Sequence, residues 1–392
     1  MDTYDVILMI CLYIMSLAVL YLYGLALMGI FGKKKASLPP VDFDFLILVP
    51  AHNEAAVIEA TLKSLEHLRP VGNVKIAVIA DNCTDTTAAI ARHHSVDVWE
   101  RNNPDERGKG YALNFGLSRY NLNEFNAVAI VDADTIVKPD MLEVMAASLC
   151  QGCGAIQVSY EMTAASDTPL AWLQYMASMT ENIFFYHGRS VIGLPVLLRG
   201  TGMALASDVL KQHPWKSYSI TEDVDYAVGL IKAGIKIGFT VNTAVSSPAT
   251  ATYKQSTQQK TRWASGTFSL IIEKTFNLLK AAITQKRPIL IELAFSFWLL
   301  SRPLLIFICF LLFGVSIAAS PGLNILFSIW SALLIILLIL YLAGGIIFLE
   351  NKKPALKALL HLPFWSVWFF LIQVKALLTG RKSEWVRTDR KP

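Results

Sequence analysis

A chain of 392 residues in which 54% are hydrophobic, with a mean hydropathy of +0.45, is too apolar for an ordinary water-soluble enzyme. The net charge of +5 comes without a dense basic run or a basic stretch interleaved with aromatics, so nucleic acid is excluded as the expected partner. Five cysteines include Cys150-x-x-Cys153, but no second pair completes a zinc site, and reduced thiols are expected.

The first element, residues 6–31, is almost uncharged and exceeds the ~20 residues that a spanning helix needs. Asp2 and Asp5 precede it, and Lys33-Lys34-Lys35 follows where a signal peptide would carry a small-residue cleavage site. The lysines predict a cytoplasmic end. Residues 1–35 are therefore expected to be a transmembrane helix with its basic flank.

Residues 36–263 have the character of a cytosolic α/β domain. The apolar run 43–50 stops at Ala51-His52-Asn53-Glu54, and 55–68 is helical. The run 74–80 stops at Asp81-Asn82-Cys83-Thr84-Asp85, before a helix over 86–94. Strands follow at 96–99 and at 127–131, the latter ending on Asp132. Short, wholly apolar strands alternating with helices predict a parallel sheet covered on both faces. Such sheets bind ligands at the carboxyl ends of their strands, where Asp81 and Asp132 fall.

Asp132-Ala133-Asp134 is the most informative of these stops. Carboxylates at i and i+2 leaving a strand can turn toward one hard divalent cation, which bridges readily to a diphosphate. The alternative is that they cap a helix starting near Pro139. Arg107-Gly108-Lys109-Gly110 would bring backbone N–H groups and an ammonium to phosphate, or is a plain surface turn. Arg199-Gly200-Thr201-Gly202 allows close backbone approach to a ligand. Thr221-Glu222-Asp223 opens a helix, where carboxylates also serve the helix dipole. Gln259, Arg262 and Trp263 share one helical face, suited to diphosphate and a sugar ring, or to a membrane surface.

The remainder is expected to form an amphipathic interfacial helix (264–290), two transmembrane helices (291–350), and an interfacial helix with a cytosolic tail (351–392). Residues 323–349 carry no charge; 303–319 spans only if 293–300 is added, across Arg302-Pro303. Arg302 is expected to snorkel toward the cytoplasmic interface. His361, Pro363, Lys375, Trp365 and Trp368 place 358–378 in the interface rather than across the membrane.

The ordered set P-A-H-N-E (50–54), A-D-N-C-T-D (80–85), G-K-G-Y-A-L-N (108–114), V-D-A-D (131–134), G-T-G-M-A (200–204), T-E-D (221–223) and Q-x-x-R-W (259–263) resembles the membrane-bound family 2 glycosyltransferases. That group includes cellulose, hyaluronan, chitin and poly-N-acetylglucosamine synthases. The resemblance implies a GT-A-type, Rossmann-like nucleotide-sugar domain with a mostly parallel sheet, plus transmembrane and interfacial α-helices. It implies that Asp81 contacts the uracil of a UDP-sugar, with Asn53 and Glu54 nearby, and that Lys109 lies near the diphosphate. Asp132 would approach the donor and, with Asp134, hold Mg2+ or Mn2+. Asp223 would be the general base, with Glu222 and Asp132 beside it in the catalytic group. Gln259, Arg262 and Trp263 would shape the acceptor end and the pyrophosphate site. Trp385-x-x-Thr388-x-Arg390 is similar to the gating loop of cellulose synthases, which puts Thr388 at the nucleotide; an ordinary basic tail fits it equally.

The activity so implied is inverting hexosyl transfer from a UDP-sugar to a growing β-linked polysaccharide at the cytoplasmic face of the cell membrane. The alternative is transfer to a lipid acceptor. Membrane lipids are expected partners, and a second copy of the chain or an accessory export subunit is left open. Cellulose synthases continue past the loop with further spanning helices, whereas this chain stops, which leaves polymer export open.

Overall fold

The computed structural model describes residues 3–32, 42–69, 71–299, 302–319 and 321–379, with the backbone path alone for 258–259, 262–272, 303 and 376–379. Eight strands form one sheet: β1 (Phe45–Ala51), β2 (Val74–Asp81), β3 (Asp97–Arg101), β4 (Ala127–Ile130), β5 (Ile136–Val137), β6 (Ala155–Thr163), β7 (Met203–Ala206) and β8 (Ile237–Pro248). Their spatial order is β3-β2-β1-β4-β7-β6-β8-β5. The pairs β3–β2, β2–β1, β1–β4 and β6–β8 are parallel; β4–β7, β7–β6 and β8–β5 are antiparallel. This is the expected GT-A-like architecture, a mostly parallel α/β sheet accompanied by apolar helices.

The period-2 alternation of β1 explains its place at the centre. Leu46 and Leu48 face one core, while Phe45, Ile47 and Val49 face the other, and all five are fully buried. The first core continues without a break into the apolar helices, through Leu22 and Leu25 of the Thr3–Phe31 helix. The catalytic-looking motifs sit at the carboxyl edge of β1, β2 and β4, as expected. Asn53 and Asn82 end β1 and β2 in the left-handed region, with φ of 55° and 50°. Asparagine tolerates that conformation better than other residues with a Cβ.

Among the described residues, three helices are long and apolar enough to cross a membrane by length and composition: Thr3–Phe31, Leu323–Phe348 and Lys352–Lys375. The third contains most of the segment expected in the interface, which therefore meets the length and hydropathy of a span. The 293–319 run does not behave as one span: it is two helices, Ile289–Trp298 and Arg302–Ser316. The latter has 15 residues, about 22 Å at helical rise, short of a ~30 Å hydrocarbon core. The expected boundary at 263/264 falls inside a continuous helix, Tyr253–Thr284, so no domain edge lies there.

The sheet domain is fastened to the apolar helices by a π-helical turn, Glu181–His187, and the helix Gly188–Val191 that follows it. The Thr3–Phe31 helix lies so close that a Cβ on Gly188 would stand 2.2 Å from the carbonyl oxygen of Leu25. Small residues permit such backbone approach between apolar helices. Beside this contact Arg189, only 1% exposed, makes two hydrogen bonds to Glu292 at 2.7 and 2.9 Å and one to the Tyr21 hydroxyl at 2.9 Å. Arg302 does not snorkel to a surface. It is buried, stacks over Phe185 and pairs with Glu181 at 3.5 Å.

Removing one partner of a buried pair leaves an uncompensated charge. Arg189→Met should therefore lower unfolding stability in micelles by about 3 kcal/mol, and the double variant Arg189→Met/Glu292→Leu should recover much of that loss. Equal thermal midpoints for wild type and Arg189→Met would show that the pair fastens nothing.

Candidate active site

Lys109 opens the helix Lys109–Leu117, and Gly108 before it has φ of 133°. The turn aims the ammonium inward rather than into solvent. It donates to the carbonyl oxygen of Gly200 at 2.8 Å and pairs with Asp132 at the end of β4. Gly200 itself has φ of +80°, and a Cβ there would stand 3.1 Å from Lys109 Nζ and 3.2 Å from Asp223 Oδ2. Its lack of a side chain keeps the space between these two groups open. Glycine-flanked lysine, strand-end aspartate, R-G-T-G turn and T-E-D triplet thus meet in one place, as their sequence contexts separately suggested.

The site is held by groups that pattern reading passed over. Gln157, fully buried on β6, donates to the carbonyls of Thr201 and Gly202 at 2.9 and 3.2 Å and accepts from the Arg199 N–H at 2.8 Å. Thr201 Oγ1 accepts from the Asp132 N–H at 3.0 Å and donates to Thr135 Oγ1 at 3.2 Å. A buried glutamine within an apolar strand is the one sequence signal that marked this support.

Glu222 and Asp223 stand in the first turn of the helix Glu222–Lys232, whose N-cap Thr221 makes no side-chain cap bond. Asp223 Oδ1 accepts from the Val224 N–H at 2.8 Å, which leaves Oδ2 on the Gly200 side. Burial pushes both carboxyls up, Glu222 to about 8 with repulsion from Asp223 adding to it, and Asp223 to about 6 with Lys109 drawing it back. The two carboxyls are coupled, and burial holds both above the ordinary carboxylate range. Burial alone would push the Lys109 ammonium down, but Asp132, Glu222 and Asp223 together hold it above its ordinary value.

Asp132 and Asp134 do not cap the next helix. That helix is Met141–Cys150 and its N-cap is Asp140. Among the described residues no group of three or more His, Cys, Asp or Glu side chains is placed to hold a metal ion. Two hard carboxylates leaving one strand still suit a cation that arrives with a diphosphate and takes its remaining ligands from phosphate oxygens and water. In that limited sense the donor set fits Mg2+ or Mn2+.

Asp81 ends β2 and is directly opposite Arg101 of β3 in the ladder. Arg101 Nη1 donates to Asp81 Oδ1 at 2.7 Å, a pairing that sequence reading missed. Asn53 Oδ1 accepts from the N–H of Thr84 at 2.7 Å and of Asp85 at 3.3 Å, so Asn53 clamps the loop after β1 to the loop after β2. The Glu54 N–H donates to Thr87 Oγ1 at 2.8 Å in the same clamp. Gln259, Arg262 and Trp263 lie on one face of the Tyr253–Thr284 helix by their spacing; their side chains, and Thr388 entirely, lie outside the described residues. None of the five cysteines is in a disulfide; Cys150 is exposed and Cys153 buried.

A family model described as "Glycosyltransferase like family 2" matches residues 39–266, more than half of the chain. The chain belongs to this family. A beta-monoglucosyldiacylglycerol synthase of Nostoc sp. is 31% identical over 255 residues, which cover 63% of this chain and 53% of that protein. The chain thus spans about half the length of that curated relative. A probable glucomannan 4-beta-mannosyltransferase 3 of Oryza sativa subsp. japonica is 23% identical over 88% of this chain and 65% of its own. Among solved structures, the mannosyltransferase PcManGT from Pyrobaculum calidifontis, in complex with GDP-Man and Mn2+, superposes with a TM-score of 0.60 at 18% identity, covering 96% of this chain and 100% of that one. The shared fold takes in the apolar helices as well as the sheet. What these comparisons show is the family and the fold, and not the polymer-synthase subgroup.

A carboxyl raised in the fold keeps its proton where the unfolded chain has lost it, so stability falls as pH rises from the ordinary carboxylate range toward 8. Glu222→Gln should flatten that fall and raise the thermal midpoint at pH 8 relative to wild type. A midpoint at pH 8 that drops in Glu222→Gln would show the carboxyl to be ionised and stabilising instead.

Proposed function

We propose that the chain transfers a sugar from a UDP-sugar to a hydroxyl of a lipid acceptor at the membrane surface, with inversion at the anomeric carbon. The observation that carries the transfer chemistry is the convergence of Lys109, Asp132, Glu222 and Asp223 around Gly200. Asp223 is the general base. Burial raises its carboxyl above the ordinary aspartate range, which makes it a stronger base than an ordinary aspartate, and its Oδ2 lies on the open Gly200 side. The acceptor oxygen loses its proton to Asp223 Oδ2 and bonds to the anomeric carbon, whose bond to the β-phosphate oxygen breaks. The departing UDP carries the released charge, and Lys109 stabilises it there.

Asp134 and Asp132 would hold Mg2+ or Mn2+, which when bound supplies neutralisation of the diphosphate. Asp81 is assigned to the base, Asn53 and Glu54 to the shape of its pocket, and Gln259, Arg262, Trp263 and Thr388 to the acceptor end and the nucleotide.

A lipid acceptor is favoured over a polymer because a relative at 31% identity is named a glucosyldiacylglycerol synthase, against 23% for the glucomannan enzyme. The position of the site agrees. Arg199, adjacent to Gly200, pairs with Glu181 at 3.2 Å, and Glu181 in turn pairs with Arg302 of an apolar helix. The Gly200 turn thus adjoins the apolar helices, which supports an acceptor reached from the membrane. The sheet domain is assigned to the cytosolic side on the strength of Lys286-Arg287 and Lys352-Lys353.

The test is incubation of the purified chain in lipid nanodiscs with UDP-glucose, Mn2+ and diacylglycerol, followed by UDP release and separation of extractable lipids. One or two sugars on lipid are expected. Asp223→Asn should lose at least about a thousandfold in turnover, toward the upper end of the range for a general base, while UDP binding stays within about threefold. Long glycan in place of glycolipid would return the polymer reading, and a fully active Asp223→Asn would remove that residue from the base role.

A further inference from the structure

The fold admits a guanine nucleotide in PcManGT, so architecture alone does not choose the donor's base. The carboxyl edge of β2 and β3 carries a feature that does. Asp81 and Arg101 are ladder partners, 4% and 7% exposed. Two donors converge on one oxygen of Asp81: Arg101 Nη1 at 2.7 Å and Asn82 Nδ2 at 3.1 Å, both to Oδ1. The guanidinium is fixed on its other side by the Glu106 carbonyl at 2.7 Å and Glu106 Oε2 at 2.8 Å. It also lies 5.7 Å from the ring centre of Tyr111, which stacks on Tyr218 at 4.3 Å. Oδ2 accepts no hydrogen bond from a described residue.

We propose that Arg101 determines which base the site accepts: by occupying Asp81 Oδ1 it leaves one acceptor oxygen for one ring N–H, and so selects uracil over guanine and cytosine. This rests on the reading that Asp81 meets the donor's base. Uracil presents a single N–H at N3, which one oxygen satisfies. Guanine presents N1–H and an exocyclic N–H side by side, a pair that needs both oxygens of a carboxylate. With Oδ1 engaged, one guanine N–H is desolvated without a partner, a penalty of roughly tenfold or more in affinity. Cytosine turns a lone pair at N3 toward the carboxylate and is repelled. Arg101 acts through Asp81 and is a positioning residue.

The experiment is calorimetric titration of the full chain in micelles with UDP, GDP and CDP, each with Mn2+, for wild type, Arg101→Met and Arg101→Lys. Wild type should bind UDP at least roughly tenfold more tightly than GDP or CDP. Arg101→Met removes one of the two donors on Oδ1 and leaves Asn82 Nδ2 alone there, which opens a lone pair to a second base N–H, so UDP should weaken while the UDP-to-GDP ratio falls to within roughly threefold. Arg101→Lys keeps a single donor and should lie between the two, and it serves alone if the methionine variant does not fold. A ratio that stays at the wild-type value in the folded variants, with both nucleotides weakened alike, would reduce Arg101–Asp81 to a structural pair and overturn the proposal. A wild-type protein that shows no preference for UDP would instead overturn the Asp81–uracil reading itself.

Discussion

One ammonium held among three carboxylates, of which Glu222 is buried, governs this site. Lys109 neutralises Asp132 directly and faces Glu222 and Asp223 across the gap left by Gly200. Burial and repulsion from Asp223 raise the Glu222 carboxyl, and burial raises Asp223 while Lys109 draws it back. That arrangement suits the roles proposed for Asp223 as base and for Lys109 at the leaving group. Further negative charge beside these carboxylates is favourable only if positive charge arrives with it. Gln157 and Thr201 hold the R-G-T-G turn in place, and without that turn the lysine would lose its carbonyl acceptor.

The second constraint is mechanical. The sheet domain does not hang from the apolar helices by a linker. Gly188 packs against the backbone of the first helix, and the Arg189–Glu292–Tyr21 group fixes the two bodies at one point. Arg199, Glu181 and Arg302 join them again, next to the Gly200 turn. A π-helical turn carries Glu181 and sets its direction, a local irregularity of the kind that recurs at functional sites. The active-site edge is thereby held at a constant relation to the apolar helices, as the proposed lipid acceptor would require.

Much of this was legible in the chain. The apolar strands, their polar stops and the parallel pairing of β1 to β4 follow from local pattern, because buried parallel strands leave little else that a short apolar run can be. Strand-end position made Asp132 and Asp81 candidates before any distance was known. What pattern could not show depends on pairing across the sheet. Arg101 looks like an ordinary strand-end arginine until the β2–β3 register sets it beside Asp81. Arg302 looks like a snorkelling side chain until Glu181, 121 residues away, supplies its partner. The uninterrupted helix through residue 263 was hidden for the same reason: composition gives an average over a window, whereas helix ends follow from packing.

The most direct test is a structure of the chain in nanodiscs with UDP and Mn2+. The account predicts the β-phosphate within hydrogen-bonding distance of Lys109 Nζ, the metal bonded to Asp134 or Asp132, and Asp223 Oδ2 facing the β-phosphate across Gly200. A nucleotide bound away from Gly200, with Lys109 still paired to Asp132 and no metal on either aspartate, would contradict it.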